Sequence, residues 1–100
     1  DYQKFDAAIA DFSKAIEMSP RNARAHLGRG IALTYQRQFS RAITDLNRAI
    51  ELDPKAANAY NIRGMIYAQM GNPRAFADFQ QSCNMGFQEG CVNWQRMLRN

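Results

Sequence analysis

Pro20 and Pro54 lie 34 residues apart, and each closes nearly the same stretch of chain. Ala8-Ile9-Ala10-Asp11-Phe12-Ser13-Lys14-Ala15-Ile16-Glu17-Met18-Ser19 leads to the first proline. Ala42-Ile43-Thr44-Asp45-Leu46-Asn47-Arg48-Ala49-Ile50-Glu51-Leu52-Asp53 leads to the second. A period in this range marks a stacked repeat architecture, because one such unit cannot bury its apolar face alone. The period fixes how the chain is built and what surface it offers, and leaves the partner open.

Within the period the apolar spacing is helical. Leu27, Ile31 and Tyr35 recur every four residues over 23–36, with Asn22 placed to cap. Phe39, Ala42, Ile43, Leu46, Ala49 and Ile50 form one face over 39–52, and Pro54 blocks continuation. Residues 57–70 repeat the first pattern through Tyr60, Ile66, Tyr67 and Met70, and Gly71 supplies a left-handed stop. Asn72-Pro73 then reads as a cap followed by a first-turn proline, opening a helix that runs through Phe76 and Phe79 to about Met85 and Gly86. Phe5, Ala8, Ile9, Phe12, Ala15 and Ile16 give the first 18 residues the pattern of 39–52, and 89–98 makes a short last helix with Val92, Trp94 and Leu98. Connections of a few residues force neighbouring helices to run antiparallel. No strand signal competes.

Small residues obey the same arithmetic. Gly30 and Gly64 are 34 apart in mid-helix, as are Ala8 with Ala42 and Ala15 with Ala49. A mid-helix glycine costs roughly 1 kcal/mol in propensity. Its repetition in register points to a repeated close helix contact, since helices approach to about 8–10 Å only where contact residues are small.

These residues resemble the tetratricopeptide repeat family. Gly30, Leu33, Phe39, Ala42, Leu46, Ala49 and Pro54 match its signature of small and large positions in the second repeat; Tyr60, Gly64, Tyr67 and Gly71 match in the third. The third repeat then departs: its second helix is one residue short, so Ala75 and Phe79 take the small and large places, and Gly86 stands near the proline turn. His26 occupies the family's tryptophan position. The resemblance implies an all-α fold of antiparallel helix hairpins stacked as a right-handed superhelix. It divides a single domain, 1–100, into the second helix of a partial repeat (1–22), two repeats (23–56 and 57–88) and a capping helix (89–100).

Arg29 and Arg63 precede the repeated glycine, where many family members carry leucine, while Asp11, Asp45 and Asp78 each precede the large residue of the second helix. An arginine fork suits a carboxylate, so a ladder of structural ion pairs is expected in one of two registers. Within a repeat, Arg29 meets Asp45 and Arg63 meets Asp78. Between repeats, Arg29 meets Asp11 and Arg63 meets Asp45.

Cys83 and Cys91 flank the Gly86 turn, where an antiparallel helix pair can bring Cα atoms within bridging range. The segment 82–91 is also similar to the cysteine-bearing turns of Sel1-like repeats, where such cysteines pair. Two reduced, buried cysteines are the alternative. With one distant histidine the cysteines make no metal site, and His26 is expected to pack. No nucleophile–base set and no phosphate-cradling loop occurs, so neither an enzyme nor a cofactor is expected.

In the family, the first helix of each repeat lines a concave, peptide-binding face. Register transfer places Arg24, Leu27, Gly28, Ile31, Thr34 and Tyr35 there, followed by Asn58, Asn61, Ile62, Met65, Ala68 and Gln69. Asparagines would hydrogen-bond an extended backbone, and Arg24 would meet a carboxylate. The polar clamp by which one branch of the family holds chaperone tails is not reproduced, since Leu27, Ile31 and Ile62 stand in its place, so heat-shock tails are disfavoured. The function implied is a non-catalytic protein-binding scaffold. The alternative is a self-assembly piece that homo-oligomerises through Phe5, Ile9 and Phe12 of an uncovered first helix.

Composition excludes little else. Net charge is +4, and Arg21, Arg24, Arg29, Arg37, Arg41 and Arg48 fall in one stretch with Asp45 as its sole acid. That stripe either attracts an acidic partner or is tied up in ion pairs. The arginines are not interleaved with stacking aromatics, which disfavours nucleic acid. No run approaches the ~20 apolar residues of a membrane span. With no initiator methionine and no leader pattern, the chain reads as a processed or excised piece of unassigned compartment.

Overall fold

The computed structural model describes residues 2–99. It contains six helices: α1 Tyr2–Met18, α2 Ala23–Tyr35, α3 Phe39–Leu52, α4 Ala57–Gln69, α5 Arg74–Asn84 and α6 Gln88–Leu98. No strand occurs among the described residues. The helices form two compact units, one through Pro54 holding α1–α3 and one from Lys55 holding α4–α6.

Local chemistry sets the helix ends. The Asn22 side chain accepts the Ala25 amide at 3.1 Å and opens α2. Asn72 does the same for Arg74 at 2.9 Å, with Pro73 already at helical angles (φ −62°, ψ −13°) ahead of α5. Gly71 ends α4 at φ +69°, where the Asn72 amide reaches back to the Tyr67 carbonyl at 2.8 Å. Arg37 occupies the matching place after α2 at φ +60°, with the Gln38 amide on the Leu33 carbonyl at 2.9 Å. The sequence gives no sign of this turn, because an arginine stands where glycine is the usual choice. The Arg37 guanidinium lies 5.2 Å over the Phe39 ring.

In the first unit α2 packs between α1 and α3. Its core is Ala25, Ala32, Leu33, Ala42, Leu46 and Ala49, all at most 4% exposed. Gly30 meets the Leu46 side chain: a Cβ there would lie 3.1 Å from it. In the second unit α5 packs against α4 and α6 around Ala59, Ile66, Ala75 and Phe79. A Cβ on Gly64 would stand 2.8 Å from the Phe79 ring. So the repeated glycines mark close contacts between the two helices of each repeat. The last helix uses the same device, since a Cβ on Gly90 would collide with the buried Ser82 side chain.

Arginine and aspartate pair inside each repeat. Arg29 Nε and Nη2 donate to the two carboxylate oxygens of Asp45 at 2.7 and 2.8 Å. Arg63 does the same to Asp78 at 2.8 and 2.7 Å. Both aspartates are buried. Hydrogen bonding to the carboxylate pushes the pKa of both arginines above their already high ordinary value, against the opposing pull of burial. Asp11 does not join this ladder. It is exposed on α1, and the further donor of Arg29, Nη1, goes to Ser13 Oγ at 3.1 Å.

His26 is 7% exposed and packs at the tryptophan position, its Nε2–H donating to the Pro20 carbonyl at 3.0 Å. Cys83 and Cys91 form a disulfide joining α5 to α6, with Cα atoms 4.3 Å apart, so neither thiol is available to a metal.

Candidate functional site

The lining residues expected from register fall into two groups, one on each unit. On α2, Arg24 and Tyr35 are exposed, and Leu27, Ile31 and Thr34 are half-buried. Tyr35 is held in place: its ring stacks on Phe5 of α1 with centroids 5.0 Å apart and planes 7° from parallel. Thr34 Oγ1 donates back to the Gly30 carbonyl at 2.7 Å, so this hydroxyl is committed to its own helix. Gly28 leaves the lining. It turns toward α1, where the Phe12 ring fills the space that a side chain would need.

On α4 the outcome divides. Met65 is 43% exposed, Gln69 and Ala68 are exposed, and Asn58 and Ile62 are half-buried. Asn61 is only 1% exposed, so it is not a surface donor for a ligand backbone. Its Oδ1 accepts Asn93 Nδ2 of α6 at 2.9 Å, and its Nδ2 faces the Met65 sulfur at 3.8 Å. Arg96 Nη1 in turn donates to Asn93 Oδ1 at 3.3 Å. The relay pins the last helix onto α4. A buried amide must find partners, and α6 supplies them; helix spacing alone cannot show that, because it does not say what the terminal helix covers.

Between α4 and α6 this packing leaves a cleft of about 290 Å³, walled by Met65, Gln69, Asn93, Arg96 and Met97 with Phe79 beneath. Thioethers and a ring give it adaptable apolar walls, and two amides and a guanidinium also line it. That chemistry fits one apolar side chain entering from a segment whose backbone stays near the rim. Among the described residues no group of three or more histidine, cysteine, aspartate or glutamate side chains gathers as a metal site. No helix of the described residues is long and apolar enough to cross a membrane.

Comparison with known proteins adds three findings. A family model described as a TPR repeat matches residues 1–38 and 32–71. Hsc70-interacting protein 1 of Drosophila melanogaster is 39% identical over 93 residues, which is 92% of this chain and 25% of that protein; Hsc70-interacting protein 2 matches to the same extent. The chain thus spans a quarter of the length of these relatives. Among solved structures, the Arabidopsis OM64 TPR domain superposes with a TM-score of 0.90 at 24% identity, over 98% of this chain and 84% of that one. The first TPR of Spaghetti (RPAP3), bound to the HSP90 peptide SRMEEVD, gives 0.86 at 22%, over 97% and 79%. The TPR2B domain of yeast Sti1, in complex with an Hsp70 peptide, gives 0.79 at 20%, over 91% and 86%. At these identities the structures establish a shared fold.

Proposed function

The chain belongs to the tetratricopeptide repeat family, and on that footing we propose that it is a non-catalytic protein–protein interaction module. The segment-binding surface is the concave face that the family builds from the first helix of each repeat, here α2 in the first unit and α4 in the second. The observation that carries this reading is the α2 face. A cation (Arg24), two aliphatic side chains (Leu27 and Ile31) and an exposed aromatic (Tyr35) share one side of one helix. Tyr35 is already immobilised by stacking on Phe5. An aromatic anchor ordered before binding loses little further rotamer entropy when a ligand arrives. On α4, Met65 and Gln69 open into the cleft beside α6 and offer a pocket for one apolar side chain.

The relatives' names support an Hsc70-class chaperone as the partner. The α2 face favours an internal segment carrying apolar and acidic side chains over a bare chain terminus, because Leu27 and Ile31 stand where a polar clamp for a terminal carboxylate would be needed. A Sel1-like character at the C-terminal end rests on the Cys83–Cys91 pair alone.

Calorimetric titration with intact Hsc70 and with its isolated C-terminal tail peptide tests this. Arg24→Ala combined with Tyr35→Ala is expected to weaken Hsc70 binding by about tenfold or more, the loss of one modest hot spot, beyond the effect of Phe5→Ala, which breaks the same ring stack and lowers the melting temperature similarly while leaving Arg24 and Tyr35 in place. The tail peptide alone is expected not to compete. Unchanged affinity in the double variant, or full competition by the tail, overturns the reading.

A further inference from the structure

Glu89, Val92, Asn93 and Arg96 fall at i, i+3, i+4 and i+7 of α6, one stripe of a helix. Asn61, Met65 and Gln69 make a matching stripe on α4, four residues apart. The two stripes wall one groove. The cleft of about 290 Å³ shares Met65, Asn93 and Arg96 with a second hollow of about 270 Å³, which Asn61, Glu89 and Val92 complete. Glu89 and Arg96 are both exposed. Among the described residues Glu89 makes no ion pair and no side-chain hydrogen bond, and Arg96 spends one N–H, on Asn93 Oδ1. The two charges do not meet each other, because seven residues set them two helical turns, about 10 Å, apart. The exposed Gln69 carboxamide beside them also makes no hydrogen bond among the described residues.

We propose that this groove takes an extended segment of a partner protein with the order basic, any residue, apolar, acidic, apolar. The proposal rests on the reading of the chain as a segment-binding module and names the segment chemistry that its α4–α6 part selects. Three residues of extended chain span about 10 Å, which is the separation of Glu89 and Arg96. A basic and an acidic side chain three residues apart therefore answer both groove charges at once. The two apolar residues that flank the acid lie two apart, so they point to the same side of an extended chain. Arg96 lines both hollows, and with the acid held there one apolar side chain enters each. The thioethers of Met65 and Met97 adapt to the shape of the one beside Phe79. A helical occupant is disfavoured, because its backbone groups are tied up within itself and Gln69 would find no amide or carbonyl to bond. A uniformly acidic or uniformly basic segment is disfavoured as well, since one of the two groove charges would meet its like.

The test is a fluorescence-anisotropy titration of the intact chain with the peptide Ser-Lys-Thr-Leu-Glu-Leu-Ser, labelled at its N-terminus and amidated at its C-terminus. Saturable binding is expected, with methyl NMR shifts at Met65 and Met97. Arg96→Glu is expected to weaken binding about tenfold, and so is Glu89→Lys, because each sets like charges against each other. The Arg96→Glu chain is expected to regain binding when the peptide's glutamate becomes lysine, and the Glu89→Lys chain when the peptide's lysine becomes glutamate. A variant that had merely lost structure would not be repaired by an opposite charge in the peptide. The proposal fails if no saturable binding occurs at millimolar peptide, if binding ignores both charge reversals, or if the swapped peptides do not restore it. In that event, Hsc70 binding that still depends on Arg24 and Tyr35 leaves the interaction-module reading standing, and Hsc70 binding that does not overturns both.

Discussion

Arg29 and Asp45 are not equal partners, because they differ in access to water. The Asp45 side chain is 6% exposed and that of Arg29 is 25%. Arg29→Ala strands a buried carboxylate, a change that typically costs about 3–5 kcal/mol. Asp45→Ala leaves a guanidinium that still reaches solvent and Ser13, so its cost is nearer the loss of charged hydrogen bonds, about 1.5–3 kcal/mol. Against a total stability of about 5–15 kcal/mol that difference is easily resolved. Urea unfolding is expected to rank Arg29→Ala as the more damaging variant, and the reverse order would mean that Asp45 is better solvated than its burial implies. The sign of the pH dependence follows from the raised arginine pKa values. A folded-state value above the unfolded one contributes in full at every pH below the unfolded value, and that contribution fades only beyond it. The deficit of Arg29→Ala is therefore expected to be the same at about pH 7 and about pH 10, where arginine stays charged in both states.

At the scale of the element, α6 is the piece whose hold on the molecule is most exposed to chemistry. Eleven residues are too few for a stable helix on their own. Four contacts help keep it in place: Gly90 against Ser82, the Asn93–Asn61 bond, the Phe76 ring edge-on to Trp94 and the Cys83–Cys91 bridge. The bridge spans eight residues, and the loop-entropy account gives about 2–3 kcal/mol for a closure of that size. Reduction, or Cys83→Ser with Cys91→Ser, is expected to speed amide exchange in residues 92–98 by about 30- to 150-fold, the same energy read as local opening. Exchange in α2 and α3 is expected to stay as it was. If α6 exchanges at its former rate after reduction, the noncovalent contacts hold it without the bridge. The elements themselves were legible from the sequence, because caps and stops such as Asn22, Asn72 and Gly71 act locally and leave a local mark. Asn61 and Gly90 were not, since their roles depend on where α6 lands. The arginine–aspartate ladder was legible as a repeat, but choosing between its two registers needed coordinates, as both satisfy the same 34-residue arithmetic.

For the whole molecule, charge decides how a partner arrives more than how tightly it stays. Thirteen lysines and arginines against nine acids leave a net +4. Arg29 and Arg63 are spent on buried aspartates, and Arg48 pairs with Glu51 at 3.3 Å. Arg21, Arg24, Arg37 and Arg41 of the basic stretch stay on the exposed surface, as do Arg74, Arg96 and Arg99. The basic stretch seen in the sequence is thus partly internal wiring and partly outward field, a division that counting residues does not reveal. Outward charge steers encounter and is screened by salt over about 8–10 Å at physiological strength. Stopped-flow binding to Hsc70 is expected to show an association rate that falls about three- to tenfold between roughly 0.05 and 0.3 M salt, with little change in dissociation. Arg24→Gln is expected to flatten that dependence, because Arg24 lies on the α2 face where the partner is proposed to dock. A salt effect carried by dissociation would instead mean that charged contacts are buried in the complex, and the apolar and aromatic reading of the α2 face would have to give way.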